Sequence, residues 1–142
     1  MTSKPLGVSD YPLAEKRPEL VRGKRGKPLD DITLAAVLDG TVTLDDLGIM
    51  PNALLQQAQI ARAAGRPTLA QNFERSAELV GVPQETIMRI YELLRPGRAQ
   101  SKAELLTAAA ELRATYGAEK IPAFIEEAAE VYERRGLFKA RY

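Results

Sequence analysis

From Pro51 to Gly97 the chain keeps to one pattern: apolar residues return every three or four positions, a proline opens each of three segments and a glycine ends it. Leu54, Leu55, Ala58, Ala61 and Ala64 fit a 3.6-residue period, with Gln56, Gln59 and Arg62 between them, so a helix is predicted from Asn52 to Ala64. Pro67 opens the next, with Leu69, Phe73, Ala77 and Val80 as its apolar stripe and Gly81 as its stop. Pro83 opens a third, with Ile87, Ile90, Tyr91 and Leu94 directed inward, closed by Pro96-Gly97. The logic is local. Proline lacks only an N–H that the first helical turn leaves unpaired, and glycine adopts the left-handed conformation that ends a helix at no steric cost.

Two longer segments follow. Ser101-x-x-Glu104 reads as a capping box, and the helix it starts carries Leu105, Ala109, Leu112 and Tyr116 before stopping at Gly117. The last helix is predicted from Lys120 to Arg135, with Ile121, Phe124, Ile125, Ala128, Val131 and Tyr132 on one side. Glu126, Glu127, Glu130 and Glu133 lie on the other, an acidic stripe that reads as a solvated face rather than as acid/base machinery. No segment shows strand-like alternation. The fold class predicted is all-α, a compact array of about five to six short-to-medium helices behind an extended, Pro-rich N-terminal arm.

The stretch before Pro51 is less regular. Asp30-Asp31 precede Ile32–Leu38 and Gly40 follows, which predicts a helix of about two turns with acids at its positive end. Thr43-Leu44-Asp45-Asp46-Leu47-Gly48 predicts a single capped turn. The two Asp doublets lack the alternate-residue oxygens and the closing Glu of a calcium loop, so capping is the reading preferred. Residues 1–28 hold Pro5, Pro12, Pro18 and Pro28, which exclude a continuous helix. Tyr11-Pro12-Leu13 and Leu20-Val21 are apolar anchors spaced along this strap, able to pack on the chain's own helices or across another subunit, the second being favoured. The division expected is therefore an extended, partner-docking arm over 1–28 and a helical domain over 29–142.

Composition narrows the chemistry. Alanine-rich and aromatic-poor, with five Tyr, three Phe and no Trp, the 142-residue chain suits close helix packing. It has no Cys and no His, so thiolate or imidazole catalysis and Cys or His metal sites cannot be built from it. No apolar run is long enough to span a bilayer, and the localisation expected is cytoplasmic. Net charge is +1, yet Lys4, Lys16, Arg17, Arg22, Lys24, Arg25 and Lys27 face only Asp10, Glu15 and Glu19 in the first 28 residues. Such a basic arm is either a solvated tail or a docking arm for an acidic partner.

One binding motif competes for residues 73–92. Ala77, Gly81, Val82, Ile87 and Ile90 fit a helix-turn-helix template, whose second helix reads bases in the major groove. The exposed reading positions would be Gln84, Glu85, Met88 and Arg89, which bring little positive charge to phosphates. DNA binding is the alternative reading.

A set of phrases points elsewhere. Val8-Ser9-Asp10-Tyr11-Pro12-Leu13-Ala14, Lys27–Leu34, Leu55–Ala61, Asn72–Leu79, Ile90–Pro96 and Ala128–Arg135 occur in one order over most of residues 8–138. In that order and spacing the chain resembles the small subunit of the adenosylcobalamin-dependent diol and glycerol dehydratases. The resemblance implies a mostly helical subunit without catalytic, cofactor-binding or metal-binding residues of its own. It implies partners, a large and a medium subunit in a dimer of heterotrimers, that hold adenosylcobalamin and convert a 1,2-diol to an aldehyde and water by a radical route. Neither nucleic acid nor a membrane is an expected partner. It also implies that residues 8–29 lie along the large subunit, with Tyr11, Pro12, Leu13 and Leu29 at the interface together with Arg95 and Pro96. Microcompartment-housed members often carry a further amphipathic helix ahead of the Ser-Asp-Tyr-Pro phrase. Seven residues precede Val8 here, so a cytoplasmic complex is expected unless another subunit carries such a signal.

Overall fold

The computed structural model describes residues 4–139, and by compactness the chain divides after Val80 into two units. Among the described residues the secondary structure is helical apart from one isolated β-bridge, as the apolar spacing predicts. The boundary between the units falls inside the helical domain expected over 29–142, and the strap belongs to the first unit.

In the first unit the strap is not uniformly extended. Single 3-10 turns at Val8–Asp10 and Pro18–Leu20 flank one α-helical turn, α1 (Leu13–Lys16), and the Tyr11–Pro12 peptide bond is cis. Proline spacing forbids a long helix but permits a turn after each proline, because its ring presets the first helical φ. Leu6 and Leu13 bury beside Ile60, with Leu20 and Val21 packed against them, and the Leu6 N–H donates to Gln59 Oε1 at 3.0 Å. Asp10 accepts from the Gly7 N–H at 2.8 Å and from Arg17 at 3.0 Å, and these two donors hold its carboxyl below the ordinary range.

Residues 29–50 depart from the sequence reading. Asp30 and Asp31 lie in a separate 3-10 turn, Leu29–Asp31, and the helix α2 covers only Leu34–Leu38. Its cap is Thr33, whose hydroxyl accepts from the Ala36 N–H at 3.2 Å, so a hydroxyl does the work expected of the acidic pair. The single turn α3 spans Leu44–Leu47. Two long helices follow, α4 (Pro51–Ala63) and α5 (Pro67–Leu79), folded into a hairpin by a three-residue turn with Gly65 at φ +71°. Their contact is built on Ala58, Ala61 and Ala70, flanked by Leu69 and Phe73. Side chains this small let two backbones approach closely. Ile60, which the spacing placed off the stripe, is buried, whereas Leu55 and Val80 stay exposed.

The second unit holds α6 (Gln84–Leu94), α7 (Lys102–Tyr116) and α8 (Lys120–Arg134). Ser101 caps α7 by accepting from the Glu104 N–H at 3.4 Å. The Glu104 carboxylate accepts from the Ser101 hydroxyl at 3.5 Å and from the Gln100 N–H at 3.3 Å, one residue short of the backbone bond a full capping box makes. Gly117, at φ +64°, ends α7 as foreseen. Leu105, Ala109 and Leu112 are fully buried, as are Ile125 and Ala129, and Tyr116 is half-buried. Tyr132 anchors α8 to the end of α6 by donating its hydroxyl to the Leu94 carbonyl, and it meets Phe138 edge-on at 6.2 Å.

The acidic stripe of α8 is largely paired. Arg113 forks onto both oxygens of Glu126, and Lys102 reaches Glu130 at 2.6 Å and Glu133 at 2.8 Å. The Lys102 pairs join the start of α7 to the end of α8, and Arg113 joins the end of α7 to the first half of α8, the order an antiparallel hairpin requires. Being partly exposed, they set register more than stability. The stability lies in the apolar seam. Leu112→Ala should cost about 2–5 kcal/mol, as truncation of a fully buried leucine does, and Lys102→Ala less than about 1 kcal/mol; thermal unfolding of both variants checks the ranking.

Candidate functional site

The sequence named Tyr11, Pro12, Leu13, Leu29, Arg95 and Pro96 as contact residues, and the structure places them in different settings. Tyr11 is 57% exposed, at the mouth of an open groove of ≈ 280 Å³ walled by Ile60, Ala61, Leu69 and Phe73. Pro12 and Leu29 are half-buried. Leu13 is turned inward beside Leu6 and Ile60, so its side chain serves this chain's own fold rather than a partner. Arg95 and Pro96 are exposed in the second unit, and Arg95 is held by Glu92 at 3.0 Å.

The one buried charge in the described core lies elsewhere. Asp46, in α3, has no exposed surface. Its carboxylate accepts from Arg25 Nε at 2.7 Å on one oxygen and from the second guanidinium arm of Arg25 on the other. Lys27 stands at 3.6 Å, and the Thr43 N–H completes the set at 2.9 Å. Arg25 and Lys27 also donate to the Thr41 carbonyl. Two cations of the strap are thus spent on the chain itself. The pairing is bidentate, the geometry in which guanidinium and carboxylate match best.

A tight turn presents those cations. Arg22 and Pro28 form the isolated antiparallel bridge, the Gly23 N–H donates to the Lys27 carbonyl at 2.9 Å, and Gly26 takes φ +83°. Gly23 lies against the backbone of Asp46, where an added Cβ would sit 2.2 Å from the carbonyl oxygen. Only glycine allows that approach. The sequence reading recognised Asp46 as a cap and the strap as basic. What it missed is that the two meet, because a contact across 21 residues leaves no local signature.

Around this clamp the chain exposes an unusual amount of apolar surface. Leu34, Val37 and Leu38 share one face of α2, and Leu44 and Leu47 share one face of α3. Leu34 is 75%, Leu38 79% and Leu44 86% exposed, and Ile49 is exposed beside them in sequence. Helices of one turn or so cannot bury such faces on themselves.

On the helix-turn-helix alternative, Gln84, Glu85, Met88 and Arg89 are all exposed, but Arg89 is engaged by Glu111 at 2.5 Å. The stretch therefore offers phosphates no uncommitted cation among its four reading positions. Among the described residues no cluster of three or more acidic side chains forms a metal-binding group, and no helix is long and apolar enough to cross a membrane.

Arg25 and the Thr43 N–H hold the Asp46 carboxyl well below its ordinary range. The unfolded chain therefore takes up a proton near pH 4 that the folded chain still refuses. The stability from this group is complete above about pH 4 and is lost as pH falls further. Asp46→Asn should lower the melting temperature at neutral pH and flatten the acid limb of the stability curve, measured by thermal unfolding between pH 2 and pH 7. Gly23→Ala should cost about 1–3 kcal/mol by overpacking, with the pH dependence retained if the turn shifts without releasing Arg25.

Comparison with known proteins sets this geometry in a family. A family model described as dehydratase small subunit matches residues 6–139. A propanediol dehydratase small subunit of Salmonella typhimurium (strain LT2) is 49% identical over 97% of this chain and 79% of that protein. One from Citrobacter freundii is 48% identical over 93% of this chain and 76% of that protein. At that identity and coverage, with the helical pattern and the strap inside the match, the chain belongs to the dehydratase small-subunit family.

Proposed function

We propose that this chain is the small, non-catalytic subunit of an adenosylcobalamin-dependent dehydratase that converts propane-1,2-diol, and glycerol as a second substrate, to the corresponding aldehyde and water. The observation that carries the proposal is the match to two propanediol dehydratase small subunits across nearly the whole chain. The partners are a large and a medium subunit, in a dimer of heterotrimers, and the complex is cytoplasmic.

Adenosylcobalamin belongs to the partner subunits in this reading. The groove this chain forms between its strap and α4 is a poor fit for it. That groove, of ≈ 490 Å³ and lined by Leu6, Leu55, Gln59, Arg62 and Glu74, is open and shallow, and no buried side-chain polar atom in the described residues lacks a hydrogen-bond partner. An open, shallow groove without an unsatisfied buried side-chain group is a poor grip for a large polar ring system. The cofactor, bound by the partners, would supply the radical chemistry, and the chain lacks Cys and His to assist it. Its contribution is assembly.

Affinity purification of the tagged chain from its native cells tests the reading. Two larger proteins should co-purify, and the eluate should form aldehyde from propane-1,2-diol only when adenosylcobalamin is added. A chain that elutes alone, or with proteins inert towards diols, overturns it. Within the active complex, Glu127→Gln on the exposed side of α8 should leave kcat within about twofold, because neutralising a carboxylate that only meets solvent removes no transition-state contact; a large fall in kcat would place chemistry on this chain.

A further inference from the structure

We infer that residues 34–49 form the surface through which this chain docks on a larger subunit of its dehydratase, the apolar faces of α2 and α3 entering an apolar depression with a basic rim. The inference rests on the subunit reading above and names the surface that reading leaves unspecified. Within sixteen consecutive residues Leu34, Val37, Leu38, Leu44, Leu47 and Ile49 are all exposed. Leu34, Val37 and Leu38 are spaced i, i+3, i+4, and Leu44 and Leu47 i, i+3, so each helix presents one apolar face. Summed over the six residues, roughly 600–800 Å² is exposed, comparable to one side of a standard interface.

The rim selects the partner. Asp30, Asp31, Asp39 and Asp45 flank these leucines in sequence and are exposed, against one exposed strap cation, Lys24, whose side chain lies on Gly48. Arg25 and Lys27 are committed to Asp46 and the Thr41 carbonyl, so the surface is acidic on balance. A second copy of this chain meeting the face symmetrically would set acid against acid, which disfavours self-pairing. A different subunit with a basic rim has the complementary charge. The clamp at Asp46 anchors the base of α3, so the surface is held out on a fixed support. Such presentation lowers the ordering cost of binding.

The test uses the co-expressed complex. A photo-crosslinking amino acid at Leu44 should join this chain to a larger subunit on irradiation, whereas the same probe at Met88, exposed in the second unit, serves as the comparison position. In parallel, Leu38→Glu with Leu44→Glu should lower recovery of the larger subunits at least tenfold, and Asp39→Lys with Asp45→Lys should lower it in a salt-dependent manner. Circular dichroism of each purified variant separates lost binding from lost folding, and the crosslink stands where a variant does not fold. A crosslink to a second copy of this chain, no crosslink in an intact complex, or unchanged recovery by the folded variants overturns the surface while leaving the subunit reading in place. A wild-type chain that recovers no larger subunit overturns both.

Discussion

A buried carboxylate needs a counter-charge, and the first unit is arranged around meeting that need at Asp46. Removing the ion from water is costly unless its lone pairs are occupied, and here Arg25 covers both oxygens with the Thr43 N–H filling a further site. The glycine turn at Gly23 and Gly26 exists to bring Arg25 into that position. Through this contact a basic, proline-rich segment with little apolar mass of its own becomes part of a folded unit. The rest of the strap is secured by hydrophobic means, Leu6 and Leu13 against Ile60. Each anchor is modest, and the strap holds because they act on one short covalent span.

The helical hairpins follow a different economy. Alanines at 58, 61 and 70 in one hairpin and at 109 and 129 in the other are among the most buried residues of the chain. Alanine loses no side-chain entropy on burial, so a seam rich in it gains close backbone contact without ordering long side chains. Larger residues sit where volume must be filled, such as Leu105, Leu112 and Ile125. Charge pairs on the outside, Arg113 with Glu126 and Lys102 with Glu130 and Glu133, then determine how the two helices of the second hairpin slide against each other.

Helix positions were legible in the sequence because Pro, Gly and the 3.6 period act locally. Pro51, Pro67 and Gly117 mark their boundaries within a residue of where the structure puts them. Burial was less legible. Tyr91 and Phe124 lie on apolar stripes yet are exposed, and Ile60 lies off the stripe yet is buried, since the strap covers α4 from a direction that its own period does not reveal. The docking surface was masked for the same reason. The short segments holding Leu34 and Leu44 read only as capped turns of helix, and it is their exposure on helices too short to shelter them that marks the surface. Family phrasing located the subunit role without locating the surface.

The exposed leucines of residues 34–49 also bear on how much of this chain a cell can hold. Apolar surface on this scale is tolerated only while something covers it. Copies made in excess of their companions would meet one another as sticky solutes, and their loss to aggregates or proteases would rise with concentration. Acidic residues at the border slow that encounter through mutual repulsion but do not abolish it. For the subunit proposed above, balanced synthesis of the chain and its companions would then serve solubility as well as assembly.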